Sequence, residues 1–360
     1  MKKPNIMATA LCAAAVAAAG QDAAPAEEES ASFPLLSAAK ELELSATLEV
    51  TAGWTKQGDD KDFDVNFDTA EIDLGGKVSD RLSVAVALLY EEGEDLCFDV
   101  AEFEYEFERA EGVVLHGGLL YLPFGTFETA LISDPLTLEL GEISAASAGL
   151  KWGNDVFEAG AYVFGGELKG DLEDYTDDPD DAGYAAFAKL APAESLSFSA
   201  AFLSDIGEAG LRDAIADLYD DLSKEAEKEG LDVPWSYDGA PAVNLAVVAE
   251  LDALTASAEW VAALDDLEIC GEEAGKPQAW AVDLAWAVAD DWTLACRYEG
   301  SKDFLPEEMP ETQLAAGAEW AFDEHASVAL EYAWGRFEKD EEGERPDDRH
   351  MVTGKLAVTF

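Results

Sequence analysis

Bases are scarce in this sequence: 22 Lys and Arg stand against 78 Asp and Glu, for a net charge of −56. Such a polyanion cannot displace the counterions of a phosphate backbone, which excludes nucleic acid as a partner. Histidine is nearly missing, with 3 in the chain. His325 falls in a short turn, His350 at a strand start, and His116 on one strand face with Val114, Gly118 and Leu120. No zinc-binding helix, phosphate loop or nucleophile elbow accompanies them. The residues therefore offer no catalytic constellation, and neither an enzyme nor a cofactor nor a metal site is expected. Cysteine is equally sparse. Cys12 lies in an apolar leader, and Cys97, Cys270 and Cys296 follow at no metal-ligand spacing, with Cys97 and Cys270 the pair to test for a disulfide. Past the leader, no apolar run reaches the roughly 18 residues that a membrane helix needs. The acidic clusters, such as Asp60, Asp62 and Asp64, lack the glycine and terminal Glu of a calcium loop and read as solvated or loosely cation-screened.

What is present is alternation. Residues 1–20 carry Lys2 and Lys3, an apolar stretch and small residues at the end, the pattern of a secretory signal. Residues 21–40 read as a flexible periplasmic leader rich in Ala, Pro and Glu. From residue 41 to 360 the period is two. Leu42, Leu44, Leu48 and Val50 alternate with Glu43, Ser45, Thr47 and Glu49; Phe103, Tyr105 and Phe107 alternate with Glu102, Glu104, Glu106 and Glu108. A phase slip between Thr69 and Ala70 predicts a bulge. About sixteen such segments occur, and their connections alternate in length. Short turns such as Ser79-Asp80 and Asp290-Asp291 face long connections such as 122–142 and 205–237. A soluble sandwich gives no reason for that regularity. An antiparallel transmembrane β-barrel does, with short periplasmic turns, long acidic extracellular loops and an outward apolar face. The fold expected is therefore an all-β barrel of the bacterial outer membrane, with lipids and the barrel-assembly machinery as partners and a homo-oligomer as one arrangement. The last segment ends on Phe360, which resembles the insertion signal of outer-membrane strands.

In a barrel the acidic faces line water. Glu102, Glu104, Glu106, Glu299 and Glu331 fall on the predicted lumen face, with Arg81, Lys151 and Arg297 among the few inward bases. Carboxylate rings favour cations. Residues 208–229 place Leu211, Ile215, Leu218 and Leu222 at helical spacing, which predicts a helical loop over 207–230.

Residues 117–142 (GGLLYLPFGTFETALISDPLTLELGE) are too apolar for a solvated loop, and their Pro and Gly oppose a long helix. Within them, YLPFGTFETALISDPLTLELGE (121–142) resembles the hallmark segment of the LbtU-type siderophore porins. Residues 263–286, the stretch 329–332 and the terminal Phe360 resemble that family too. The resemblance implies an outer-membrane barrel taking up a ferric siderophore, a small-molecule substrate, through a pore without a large plug. The residues themselves leave other readings open: a cation-preferring diffusion porin, or a closed structural barrel. An apolar loop in a barrel is better placed folded inward than in water. Segment 122–142 is therefore expected to narrow the pore, with Phe124, Phe127 and Leu131 on the inner wall and Glu128, Asp134 and Glu139 facing the passage.

Overall fold

The computed structural model describes residues 41–166, 168, 182–212, 214–216, 219, 224, 228, 236–303, 309–338 and 345–360. The signal and leader of residues 1–40, the acidic run 171–181 and most of the expected helical loop lie outside the described residues. Of that loop, Arg212, residues 214–216, Tyr219, Lys224 and Lys228 are helical, and Leu211 and Ile215 are fully buried.

The strands, in chain order, are β1 (Glu41–Gln57), β2 (Asp60–Lys77), β3 (Leu82–Glu91), β4 (Cys97–Glu106), β5 (Val113–Tyr121), β6 (Ser144–Gly153), β7 (Phe157–Gly165), β8 (Ala182–Ala193) and β9 (Leu196–Leu203), followed by β10 (Tyr237–Asp238), β11 (Ala242–Leu251), β12 (Leu254–Ala263), β13 (Leu267–Ile269), β14 (Glu272–Gly275), β15 (Gln278–Ala289), β16 (Trp292–Lys302), β17 (Thr312–Asp323), β18 (Ala326–Arg336) and β19 (Arg349–Thr359). One short helix, α1 (Leu136–Gly141), lies in the segment between β5 and β6. Sixteen strands close into an antiparallel barrel, in which β1 pairs with both β2 and β19. β10, β13 and β14 form a separate small sheet that the sequence pattern did not reveal.

Closure leaves no strand edge, so every strand finds its backbone partners within the barrel, as a hydrocarbon environment requires. The alternation then sorts the side chains. Leu48, Val50, Leu150, Val163, Leu245, Trp286, Leu330 and Leu356 point outward and are exposed, while Glu259, Asp283, Arg297, Glu299 and Glu331 point inward and are buried. An apolar exterior over a charged interior is the reverse of a soluble protein and fits a barrel in lipid. Exposed aromatics gather near both strand ends: Trp54, Tyr90 and Tyr332 on the long-loop side, Trp152, Trp292 and Trp320 on the short-turn side. No helix among the described residues is long and apolar enough to cross a membrane.

Three sequence details shift. The bulge on β2 falls at residues 67–68, two residues before the expected slip, because Glu49 pairs with Thr69 while Thr51 pairs with Asn66. Glu108 leaves the strand face of Glu102, Glu104 and Glu106: β4 ends at Glu106 and Glu108 joins the turn, where it pairs with Arg81 at 2.8 Å. Cys97, Cys270 and Cys296 are all free thiols, so the expected pairing of Cys97 with Cys270 is not made.

Candidate functional site: an inward segment clamped to one wall

β5 stops at Leu122-Pro123, where the missing proline N–H ends the ladder, and a tight bond from Phe124 N to Leu122 O (2.7 Å) reverses the chain. Phe127 then adopts a left-handed φ of 49°, unfavourable for a bulky residue. Its ring covers Gly125, where a Cβ would sit 2.2 Å from it, so a larger residue there would have to push the ring aside. The chain next crosses to the far side of the barrel, as its side-chain bonds to the wall show. These reach β12, β15, β16 and β18, which lie opposite β5 and β6 in the ring.

The clamp consists of wall carboxylates gripping backbone amides. Glu259 on β12 accepts from Thr126 N (2.8 Å), Phe127 N (2.8 Å) and Asn244 Nδ2 (2.7 Å). Asp283 on β15 accepts from the Thr129 hydroxyl at 3.3 Å. Glu331 on β18 accepts from Ile132 N (2.5 Å), Ser133 N (3.0 Å) and Ser133 Oγ (2.5 Å). Glu299 on β16 accepts from Leu136 N (2.7 Å), the first amide of α1, and from Gln313 Nε2 (2.8 Å). Free amides at a helix start favour an anion there. Arg297 serves the opposite polarity. It donates to Thr129 Oγ1 (3.1 Å), Ser133 O (2.8 Å), Ser133 Oγ (2.8 Å) and Asp134 O (2.9 Å), and its Nε lies 2.9 Å from Glu299. Arg297 and Glu299 are completely enclosed, a burial that is tolerable only because nearly every donor and acceptor finds a partner. Charge-assisted bonds of this kind are the strong ones.

Apolar packing finishes the clamp. Phe124, Leu136 and Leu140 join Leu203, Ile206, Leu211, Ile215, Val261 and Leu267 in one buried cluster, so the connection after β9 seals the segment from the long-loop side. Gly210 is so close to the Glu139 carbonyl that any side chain there would collide with it.

The remaining inward wall is different. Glu49 on β1 holds Lys355 of β19 at 3.1 Å, and Glu104 on β4 holds Lys151 of β6. His116 lies between Glu102 (Nε2 to Oε2, 2.9 Å) and the Tyr162 hydroxyl (Nδ1, 2.9 Å). Glu71 and Asp73 share the inward register of Thr47 and Ser45. Among the described residues no group of three or more His, Cys, Asp or Glu is arranged to hold a metal ion. Toward the short turns lies a cavity of about 260 Å³, bounded by His116, Phe124, Lys151, Tyr162, Lys189 and Asn244.

The expected residues divide accordingly. Phe124 is fully buried, Phe127 is half-buried, and Leu131 packs on Gly317 of β17. Glu128, Asp134 and Glu139 are exposed on the segment's surface. The enclosing barrel still desolvates the Asp134 carboxyl in part and raises it; Arg297 and Lys355 oppose this, while Asp68 and Glu331 add to it. The same partial desolvation raises Glu139. Glu142 is pushed up to about 7, by burial first and then by the charges of Asp134, Asp99 and Glu139. Arg297, Glu299 and Glu331, expected as pore lining, are instead covered by the segment. Glu102, Glu104 and Lys151 stay on the uncovered wall, while Arg81 sits at the short-turn end with Glu108. Phe360 closes the barrel seam through paired backbone bonds with Ala46 (2.8 and 3.0 Å). The residues that sequence reasoning missed are the anchors Thr126, Thr129 and Ser133 and their supports Asn244 and Gln313. The signal for the three anchors was hydroxyl side chains at close spacing in an otherwise apolar run; Asn244 and Gln313, amides on β11 and β17, gave none.

A closed sixteen-stranded antiparallel barrel with an apolar belt is the fold of an outer-membrane β-barrel. Solved structures of that type resemble it. The outer-membrane channel DcaP of Acinetobacter baumannii matches with TM-score 0.60 at 12% identity, over 89% of this chain and 97% of that one. OmpF of Salmonella typhi, solved with daunomycin, matches with TM-score 0.57 at 14% identity, over 89% and 97%. A loop-deletion form of OmpT, an outer-membrane protein of Vibrio cholerae, matches with TM-score 0.56 at 12% identity, over 89% and 99%. No protein-family model and no characterised protein sequence matches the chain. The resemblance of residues 121–142 to siderophore porins thus stands on the sequence alone.

Proposed function

We propose that the protein is a diffusion channel for small solutes and that it prefers cations. One observation carries this reading: the inward carboxylates of β12, β15, β16 and β18 are taken up by segment 122–142, whereas those of β1, β2 and β4, with Asp134 and Glu142 of the segment itself, line the space that is left. The bases facing that space are few, and two of them, Lys355 and Lys151, are already paired with Glu49 and Glu104. A water-filled passage with such a lining raises the local cation concentration and repels anions. Reversal potentials of the purified protein in a planar bilayer under a potassium chloride gradient test this. Cation-sided potentials are expected; anion selectivity, or a barrel that never conducts, would overturn it.

A ferric siderophore is the finer substrate we propose, on the resemblance of residues 121–142. The clamp gives much of that motif a mechanical job, since Thr129, Ser133 and the amides around them hold the wall. The motif therefore supports an inward constriction more directly than a ligand site. Uptake of radiolabelled ferric siderophore by cells lacking the gene should fall; unchanged uptake would leave the general cation channel as the reading. An enzymatic role has little support, because both ring nitrogens of His116 are engaged by Glu102 and Tyr162. OmpT of Vibrio cholerae is described in a trimer form, and a homo-oligomer is proposed here by that likeness of fold.

A further inference from the structure

The long-loop rim carries one concentration of bases on its outer surface, in a protein of net charge −56. Trp334 of β18, His350 of β19, Lys56 of β1 and Lys61 of β2 are register partners in a single row across four adjacent strands. All four point outward, because the next outward row on the membrane side is Tyr332, Val352, Trp54 and Phe63, of which Tyr332, Trp54 and Phe63 are exposed. Arg336 continues the outward face of β18 beyond Trp334 and stacks on its ring at 5.3 Å. The bases thus stand directly above an aromatic girdle, at the height where lipid headgroups begin. β19 fixes that height: its 11 residues are about what a tilted strand needs to cross the hydrocarbon, and His350 is its second residue.

Lys56 shares a surface hollow with Arg345, His350, Asp347 and Asp348, so a phosphate there would sit among both signs of charge. Lys56 and Lys61 nevertheless form no ion pair among the described residues, while Asp348 takes Arg336 loosely at 3.7 Å and accepts the Trp334 indole at 3.2 Å. His350 Nδ1 meets the Tyr332 hydroxyl at 2.8 Å, leaving Nε2 to face outward chemistry. Other lysines of the same rim are neutralised: Lys276 by Asp265 and Asp266, Lys302 by Asp303. Two unpaired lysines facing each other would repel, unless an anion bridges them.

We propose that this row is a docking site for the phosphorylated headgroup of an outer-leaflet glycolipid, with Lys56, Lys61 and Arg336 on the phosphates and Trp54, Trp334 and Tyr332 against the sugar and upper acyl chains. Phosphate matches ammonium and guanidinium donors, and each membrane-surface base strengthens such attraction roughly fivefold. The site does not depend on whether the barrel conducts.

The test is retention of a radiolabelled diphosphorylated glycolipid by the purified full-length protein in detergent. The wild type should retain it, and should retain the same glycolipid stripped of phosphate far less. The variant K56Q/K61Q/R336Q should bind about a hundredfold more weakly, with K56R/K61R close to wild type and K276Q/K302Q unchanged. Heat-modifiable migration on a gel verifies that each variant is folded; if the glutamine variant fails to fold, the single changes K56Q and K61Q carry the test, each with a loss of roughly fivefold. Equal retention of the phosphate-free lipid, or no loss in the glutamine variants, would overturn the proposal. Full displacement by an equal concentration of inorganic pyrophosphate would make it a solute-anion site and would overturn it too.

Discussion

The two halves of the inner wall use the same residue type for opposite ends. On β12, β15, β16 and β18, inward carboxylates meet backbone amides of segment 122–142, become dry, and set the position of the constriction. On β1 and β4, inward carboxylates keep lysine or histidine partners and stay partly exposed, so they act on whatever passes. The difference lies in what each side chain meets. A carboxylate left free in a lumen provides field; one that caps orphan amides provides structure. A count of acidic residues on the lumen face cannot separate these roles, because alternation reports only the direction of a side chain.

The sharpest way to break that comparison is Arg297→Met. Glu299 would remain buried without its cation, and Ser133 O and Asp134 O would lose their donor. A loss of about 3–5 kcal/mol is expected for removing one partner of a buried pair, seen as a lower urea midpoint in detergent, together with larger and noisier single-channel conductance as the segment loosens. A variant with wild-type stability and a quiet wild-type channel would show that apolar packing alone holds the segment. Next in size is the pair Glu331→Gln and Glu49→Gln. The change at Glu331 removes charge-assisted bonds to two amides and a hydroxyl, a cost of about 1.5–3 kcal/mol. The change at Glu49 removes a part-exposed ion pair worth less than about 1 kcal/mol. Their effects on selectivity should reverse that order, with Glu49→Gln shifting the reversal potential more. Equal stability effects would erase the distinction between the two walls.

Much of the architecture was legible because hydrophobic alternation and connection length are local properties. The sixteen strands and the two unequal sides followed from Phe103 beside Glu104 and from Asp290-Asp291 against the long 122–142. The site was legible only to the level of its segment. That Phe124 would be buried and Asp134 exposed follows from their own chemistry. That Glu331 would reach Ile132 and Ser133, far earlier in the chain, depends on ring closure, which puts β18 across from β5. The short helix α1 was hidden for a related reason: it spans 6 residues after Pro135, and its first amide is completed by Glu299 from elsewhere in the chain. The β10, β13 and β14 sheet was hidden because its strands are too short for alternation to show.

The smallest effect separates the segment's own charges from those of the wall. Asp134 and Glu142 belong to the clamped segment yet face water, so Asp134→Asn should leave the unfolding midpoint unchanged and still weaken cation preference. Glu142 adds a pH signature. Its carboxyl is raised to about 7, so it is neutral at lower pH and becomes an anion as pH rises through that value. Because the folded-state value lies above the ordinary carboxyl range, its stabilising contribution is fully present below the unfolded value and is lost as pH rises through about 7. Selectivity runs the other way, since a cation-attracting charge appears over the same interval. Reversal potentials measured across neutrality should therefore become more cation-sided with rising pH, and Glu142→Gln should flatten that slope while leaving the acid-side value in place. A slope that survives the substitution would shift the titrating charge from the segment to the wall, and with it the assignment of which side of the passage sets selectivity.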